Sequence, residues 1–295
     1  MSRSHVVTSA ELQSLRDLEL VTKATVEGLR QGLHRSPFHG YSAEFSQYRH
    51  YRPGDDLKYV DWKAFARTDR IYTRQFRETT NLAALFVVDI SRSMDFPAGT
   101  RTKLALARAV AAILGTLILD QGDAAGVLAV DGRAHYVPAR SGRHHLRVLL
   151  AALASLQPEG HSSISDALRR AAGILTRRGL VVVLSDFYED QAAIGQMRRL
   201  ARMGHDVIAI HILAREEMSL DVAGAAELVD LESGRALMVQ PSAARPAYLE
   251  AFGGWLATTE RQLRREGIDY ARLVTGDAIE PALRRLLIGR RGASS

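Results

Sequence analysis

This sequence predicts an α/β fold in three layers, a mostly parallel sheet covered on both faces by helices, and three observations carry that prediction. Apolar runs of strand length recur without polar alternation: Leu82–Val88, Ala124–Val130, Leu180–Leu184 and Asp206–Leu213. Amphipathic segments of helical period lie between them. The helices separate the runs from one another, and strands that lose the inside/outside alternation are strands buried on both sides.

The elements follow in order. Leu12, Leu15, Leu18, Val21, Val26, Leu29 and Leu33 recur near helical spacing, which predicts a helix over Ser9–Leu33, capped by Ser9 and ended near Gly32. From Phe38 to Phe76 the composition changes, because ten of the nineteen aromatics fall there. A solvated linker does not concentrate such side chains, so the segment is expected to pack. Pro53-Gly54 signals a turn, and Asp61 is placed to cap a helix starting at Trp62, whose ring is expected to pack with Phe65 on the sheet. Arg49, Arg52, Arg67 and Arg70 offer an alternative use of this segment as a surface for acidic groups. Residues 1–80 are thus expected as a helix plus an aromatic-rich segment packed on a main domain, 81–295.

In that domain Leu82–Val88 runs into Asp89, followed by an Ala/Leu-rich helix over Lys103–Leu119. Next come the strand Ala124–Val130, a strand at Ala134–Pro138, and helices at Arg143–Leu156 and Ser162–Arg177. The strand Leu180–Leu184, a helix at Gln191–Met203 and the strand Asp206–Leu213 complete the alternation. The tail reads as a strand pair within Ala226–Val239, a helix over Ala247–Glu266 whose Trp255 covers the sheet, a strand at Tyr270–Leu273 and a helix at Ile279–Ile288.

Composition limits the chemistry. The 295 residues are 46% hydrophobic and 24% charged, which excludes a disordered chain. Zero cysteines exclude disulfides, thiolate zinc sites and thiol nucleophiles. The net charge of +6 is spread as Arg between carboxylates, which reads as a solvated surface and not as a specific nucleic-acid site. No apolar run reaches the ~18–20 residues of a membrane span, and the N-terminus lacks the apolar core of a signal peptide, so a cytoplasmic protein is expected.

Open parallel sheets bind ligands at the loops after strand carboxyl ends. Three such places carry oxygen-bearing side chains: Asp89-Ile90-Ser91-Arg92-Ser93, the helix start around Ser162-Ser163, and Ser185-Asp186. Two carboxylates with several hydroxyls suit a hard divalent cation, because such ions prefer small oxygen ligands and keep some water. Against this, Asp and Ser at such positions also serve simply as backbone caps.

The pattern Asp89-x-Ser91-x-Ser93, then Ser162, then Asp186 resembles the metal-ion-dependent adhesion site of von Willebrand factor type A domains. Upstream, Glu44-Phe45, Tyr48-Arg49, Tyr51-Arg52-Pro53-Gly54-Asp55-Asp56 and Val60-Asp61-Trp62-Lys63-Ala64-Phe65-Ala66-Arg67-Thr68 resemble the signature of the bacterial domain-of-unknown-function 58 family. The resemblance implies a three-layer, Rossmann-like von Willebrand factor A fold. It implies a non-enzymatic, metal-dependent protein-binding adaptor or co-chaperone working with a MoxR-type AAA+ ATPase, its bound Mg²⁺ (or Mn²⁺ or Ca²⁺) accepting a partner carboxylate. Asp89, Ser91, Ser93, Ser162 and Asp186 are its implied ligands, with the adjacent Ser163 able to replace Ser162. Phe187 stands where a small residue is common and is expected to narrow access to the ion.

Other constellations are missing or bland. The sequence has no phosphate-binding Gly-rich loop ending in Lys, no Gly-x-Ser-x-Gly elbow and no His-Glu-x-x-His helix. His144-His145 cannot share a helix face and reads as surface, His211 as a core histidine, and Asp95 as a turn residue or a support to the first loop. Two alternative functions stay open: a Mg²⁺-dependent phosphohydrolase using Asp89, although position 91 is Ser where a phosphoaspartyl enzyme needs a second acid, and a basic nucleic-acid-associated protein.

Overall fold

The structure, a computed structural model, describes residues 9–32, 43–52, 60–78, 82–99, 101–130, 134–158, 163–188, 191–221 and 224–293. In chain order it contains α1 (Ser9–Gly32), β1 (Ala43–His50), α2 (Trp62–Thr68), β2 (Tyr72–Glu78), β3 (Ala83–Val88), α3 (Lys103–Asp120), β4 (Ala124–Val130) and β5 (Ala134–Arg140). There follow α4 (Arg143–Ser155), α5 (Ile164–Ile174), β6 (Leu180–Ser185), α6 (Gln191–Arg202), β7 (Asp206–Leu213), α7 (Arg215–Ser219), β8 (Ala226–Val229), β9 (Ala236–Val239), α8 (Pro241–Arg265), β10 (Asp269–Val274) and α9 (Ile279–Ala293). The chain divides into two compact units, one of residues 38–82 and one of the remainder.

The smaller unit pairs β1 and β2 antiparallel with one irregularity between Phe45 and Gln47, and α2 lies in the connection between the two strands. Asp61 caps α2 as its spacing predicts. Its Oδ1 accepts from the N–H of Lys63 at 3.0 Å and of Ala64 at 2.9 Å, while the Tyr48 hydroxyl donates to Oδ2 at 2.8 Å. Trp62 meets Phe65 edge-on, as expected of the pair, and is 58% exposed. Pro53-Gly54 lies outside the described residues.

The larger unit is built on a six-stranded sheet in the order β10-β7-β6-β3-β4-β5. Every pairing is parallel except that of β5, which runs antiparallel along the β4 edge. Leu85, Val87, Val181, Val183, Val207 and Ala209 face one layer, with α5 and α6 packed over them. The intervening Phe86, Val88, Val182, Leu184, Ile208 and Ile210 are equally buried on the opposite face, where α3 packs. Burial on both faces is why these strands read as unbroken apolar runs.

α3 lies against the sheet with α4 beside it over β4 and β5 and α1 packed on both, and a helix enclosed this way can be apolar nearly all round. α1 therefore groups with the sheet through α3, α4 and α9, and not with the aromatic-rich segment beside which its sequence places it. His145 is another correction: it is buried, and its Nε2 meets the Ala125 carbonyl at 2.7 Å, tying α4 to β4, whereas His144 is exposed. No helix of the described residues is long and apolar enough to cross a membrane.

From β3 the chain builds outward through β4 and β5, then returns to the other side of β3 as β6, β7 and β10. The order reverses between β3 and β6. Loops leaving the carboxyl ends of those two strands diverge and leave a crevice, the usual ligand position in open α/β sheets.

Candidate functional site

Register brings the candidate residues together. Val88 pairs with Leu184, and the Asp89 N–H donates to the Leu184 carbonyl at 2.9 Å, so Asp89 leaves its strand beside Ser185 and Asp186. The loop after Asp89 folds into a short 3-10 turn over Arg92–Asp95. That turn brings the Ser91 and Ser93 hydroxyls within 3.0 Å of each other. Asp89, Ser91, Ser93, Ser163, Ser185, Asp186, Phe187, Tyr188 and Glu232 share the wall of one cavity of about 310 Å³. Ser162 lies outside the described residues. Ser163 lines the cavity as the cap of α5, accepting the Asp166 N–H at 3.2 Å and keeping its hydroxyl hydrogen and a lone pair for other use.

Asp89 is only 5% exposed. Its Oδ1 accepts the Ser91 N–H at 3.0 Å and its Oδ2 the Ser185 hydroxyl at 2.5 Å. Ser185 in turn accepts the Phe187 N–H at 2.9 Å. Burial first, and then the nearby charge of Asp186, push the Asp89 carboxyl up to about 6 against the lowering effect of these hydrogen bonds. The pocket thus holds negative charge that its surroundings do not fully offset.

Asp186 is supported from beneath. The ammonium of Lys103, a fully buried residue, donates to Asp186 Oδ2 at 2.7 Å and to Glu217 Oε1 at 2.6 Å. Lys103 opens α3 behind the cap Thr102, and Glu217 lies on α7, where its other oxygen accepts the Ala214 N–H at 2.6 Å. Desolvation raises the Glu217 carboxyl, with Lys103 acting against it. The ammonium also lies 4.8 Å from the centre of the Tyr188 ring, which stacks on Trp255 at 5.0 Å. Burial, then the Glu217 charge, hold the Tyr188 phenol protonated well above its usual range.

Phe187 adopts a left-handed backbone, φ +55°, and its ring is buried in the core edge-on to His211. It forms a wall of the cavity and does not stand across its mouth as an obstacle. His211 is the core histidine its sequence context predicts: Nδ1 meets the Tyr270 hydroxyl at 3.0 Å, and burial lowers its pKa to about 4. Asp95 is exposed in the 3-10 turn.

The donor set fits a divalent cation. The cavity wall supplies three hydroxyls of the first two loops and the carboxylates Asp89, Asp186 and Glu232, and among the described residues none that lines it is cationic. Hard oxygen donors and excess negative charge are what Mg²⁺ requires.

Sequence reasoning missed Lys103, Glu217, Tyr188 and Glu232. For Lys103 a signal exists: of the 39 Lys+Arg residues only four are Lys, so a lysine opening an apolar helix departs from the arginine habit of this surface. The others come from distant segments whose approach no local pattern announces.

Residues 47–253 match the family described as "Protein of unknown function DUF58". The uncharacterized proteins Rv1480 of Mycobacterium tuberculosis and Mb1516 of Mycobacterium bovis are each 33% identical over 291 residues, spanning 95% of this chain and 90% of their own. YeaD of Bacillus subtilis is 26% identical over 185 residues, 62% of this chain and 43% of its own. Among solved structures, BatB of Bacteroides thetaiotaomicron is 18% identical with a TM-score of 0.46, covering 72% of this chain and 100% of that one. An aerotolerance-related membrane protein of Bacteroides fragilis is 17% identical with a TM-score of 0.48, covering 72% of this chain and 99% of that one.

Proposed function

On the premise that the chain belongs to the DUF58 family, we propose that it is a non-enzymatic, metal-dependent protein-binding adaptor whose cation accepts a carboxylate from a partner, a MoxR-type AAA+ ATPase. The observation that supports this reading is the convergence of Asp89, Ser91, Ser93, Ser163 and Asp186 on one cavity at the point where the strand order reverses. In it, the larger unit is a von Willebrand factor A-like domain and the cavity an adhesion site. Ser91, Ser93 and Ser163 or Ser162 offer neutral hydroxyls, while Asp89 and Asp186 offset charge. A divalent ion held there supplies an electrophilic position for an incoming carboxylate.

The chain's own residues prepare that position. Ser185 and the Ser91 N–H fix the Asp89 carboxylate, and the Lys103 ammonium fixes that of Asp186 while neutralising part of its charge. Neutral ligands leave a bound cation more electrophilic than a full carboxylate shell does. The phosphohydrolase reading gains a nearby lysine in Lys103, but that ammonium is held between Asp186 and Glu217, and position 91 is Ser where a phosphoaspartyl enzyme needs a second acid.

The test is capture of a MoxR-type AAA+ ATPase from the same organism, with Mg²⁺ and with EDTA, by wild type and by Asp89→Asn and Asp186→Asn. Capture is expected with Mg²⁺ and wild type alone. Capture indifferent to both chelator and substitution would show the adhesion mechanism to be wrong.

A further inference from the structure

The β8–β9 hairpin sends its turn, and only its turn, into the candidate site. Along its strands Leu237 and Met238 are 64% and 67% exposed although neighbours in a strand face opposite sides, so neither face is covered there. The turn, Asp230-Leu231-Glu232-Ser233-Gly234-Arg235, is rigidly self-bonded. Asp230 Oδ1 accepts the Glu232 N–H at 2.9 Å, and Oδ2 accepts the Ser233 hydroxyl at 2.6 Å. Backbone bonds of 2.8 Å join Asp230 N–H to the Arg235 carbonyl and Gly234 N–H to the Asp230 carbonyl, with Gly234 at φ +70°.

The turn needs neither the Glu232 side chain nor that of Leu231 for its own bonding. Both reach elsewhere. Glu232 Oε1 accepts the Ser93 N–H at 2.8 Å, 139 residues away, and Glu232 lines the cavity that holds Asp89 and Asp186. Leu231 lines a neighbouring hollow with Arg92, Phe96 and Pro158. A carboxylate turned into this pocket needs a group there that recognises it. The Ser93 N–H is one such group, and a cation in the pocket is a second.

We infer that Glu232 is the pocket's resident carboxylate: it occupies the position that a partner's carboxylate takes, and the partner is a protein turn presenting a glutamate next to an aliphatic residue, which must displace it. The inference rests on the adaptor reading above and names the partner chemistry of the same site. The hairpin copies the partner's two contacts, carboxylate to the Ser93 loop and aliphatic side chain to the Arg92–Phe96 hollow. While it is seated, the apparent affinity for a partner is lowered by the fraction of molecules in which it is displaced.

A fluorescent, backbone-cyclised peptide of sequence Val-Asp-Leu-Glu-Ser-Gly-Arg-Ala, copying 229–236, tests this by anisotropy against the full chain, with Mg²⁺ and with EDTA. Glu232→Gln is expected to bind it at least ~10-fold more tightly than wild type, as a site closed nine-tenths of the time requires. A peptide carrying Gln for its Glu is expected to gain nothing. A second variant, with 230–235 replaced by an Asn-Gly turn, must show the same gain, and hydrogen exchange of β3 and β6 reports that the sheet is intact. Equal affinity for wild type and both variants, or no binding by any, overturns the inference. If Mg²⁺ still stabilises wild type in that case, the adaptor reading stands without it. A gain that survives EDTA upholds the carboxylate position on Ser93 N–H and overturns the metal part of the adaptor reading.

Discussion

Lys103 shows at the scale of one residue how the site is held. A buried ammonium bridging two carboxylates is costly to form but far costlier to break, since removal of one partner strands the others without charge compensation. Lys103→Met is therefore expected to lower stability by about 3–5 kcal/mol in chemical denaturation, with added Mg²⁺ restoring part of the loss. A loss below about 1 kcal/mol would show that Asp186 and Glu217 do not depend on it. Two other residues set a pH dependence of opposite sign. Asp89, raised from 3.8 to about 6, contributes stability that is present below pH 3.8 and lost as pH rises through 6. His211, lowered from 6.5 to about 4, contributes stability present above pH 6.5 and lost as pH falls through 4. In wild type the two trends offset each other. Asp89→Asn leaves His211 unopposed, so the stability of that variant is expected to rise by roughly 3 kcal/mol between pH 4 and 6.5 relative to the wild-type profile. Denaturant midpoints at three pH values in that window check it, and parallel profiles would refute it. The carboxylates and hydroxyls of the site were legible residue by residue because each sits at a strand end; the Lys103 bridge was not, since it joins positions 83 and 114 residues apart.

Elements were legible where local chemistry decides them. Asp61 caps its helix through a side-chain oxygen two or three residues upstream of the N–H groups it satisfies, a relation contained in the sequence, and Thr102 does the same for α3 although sequence reasoning did not single it out. Asp61→Ala removes the cap of α2 and the acceptor of the Tyr48 hydroxyl, and is expected to cost about 1–2 kcal/mol, read as a lowered protection of α2 amides in hydrogen exchange. Contacts made at a distance escaped. Gly126 lies beside the irregularity between Ala125 and Val127 in β4, where a Cβ would stand 2.6 Å from the Ala139 nitrogen and the Val137 carbonyl oxygen of β5. Gly126→Ala is expected to detach the β5 edge, seen as faster exchange of 134–140 with β3 and β6 unchanged; undisturbed exchange at β5 would mean that the edge yields without loss. The β8–β9 pair was visible as a pair, but its alternation gave no hint that Glu232 reaches Ser93.

At the scale of the molecule the parallel sheet and its reversal of strand order create the crevice, and ligand binding there couples to global stability. A cation that binds the native state alone stabilises it by about 2.7 kcal/mol at a hundred times its Kd, a rise in Tm of about 5–10 °C for a unit of this size. Calorimetry with and without Mg²⁺ is expected to show this shift in wild type and to lose it in Asp89→Asn and Asp186→Asn; an equal shift in all three would place the ion elsewhere. The sequence by itself determined the α/β alternation, the helix caps and the oxygen-bearing strand ends, because these follow from periodicities and hydrogen bonds spanning a few residues. Only the tertiary structure decided that α1 covers α3, that Lys103 joins α3 to β6 and α7, and that a hairpin near the end of the chain closes on the loop after β3. Those contacts depend on which strands lie side by side, and strand order is set by the packing of whole layers against one another, a balance that no short stretch of sequence contains.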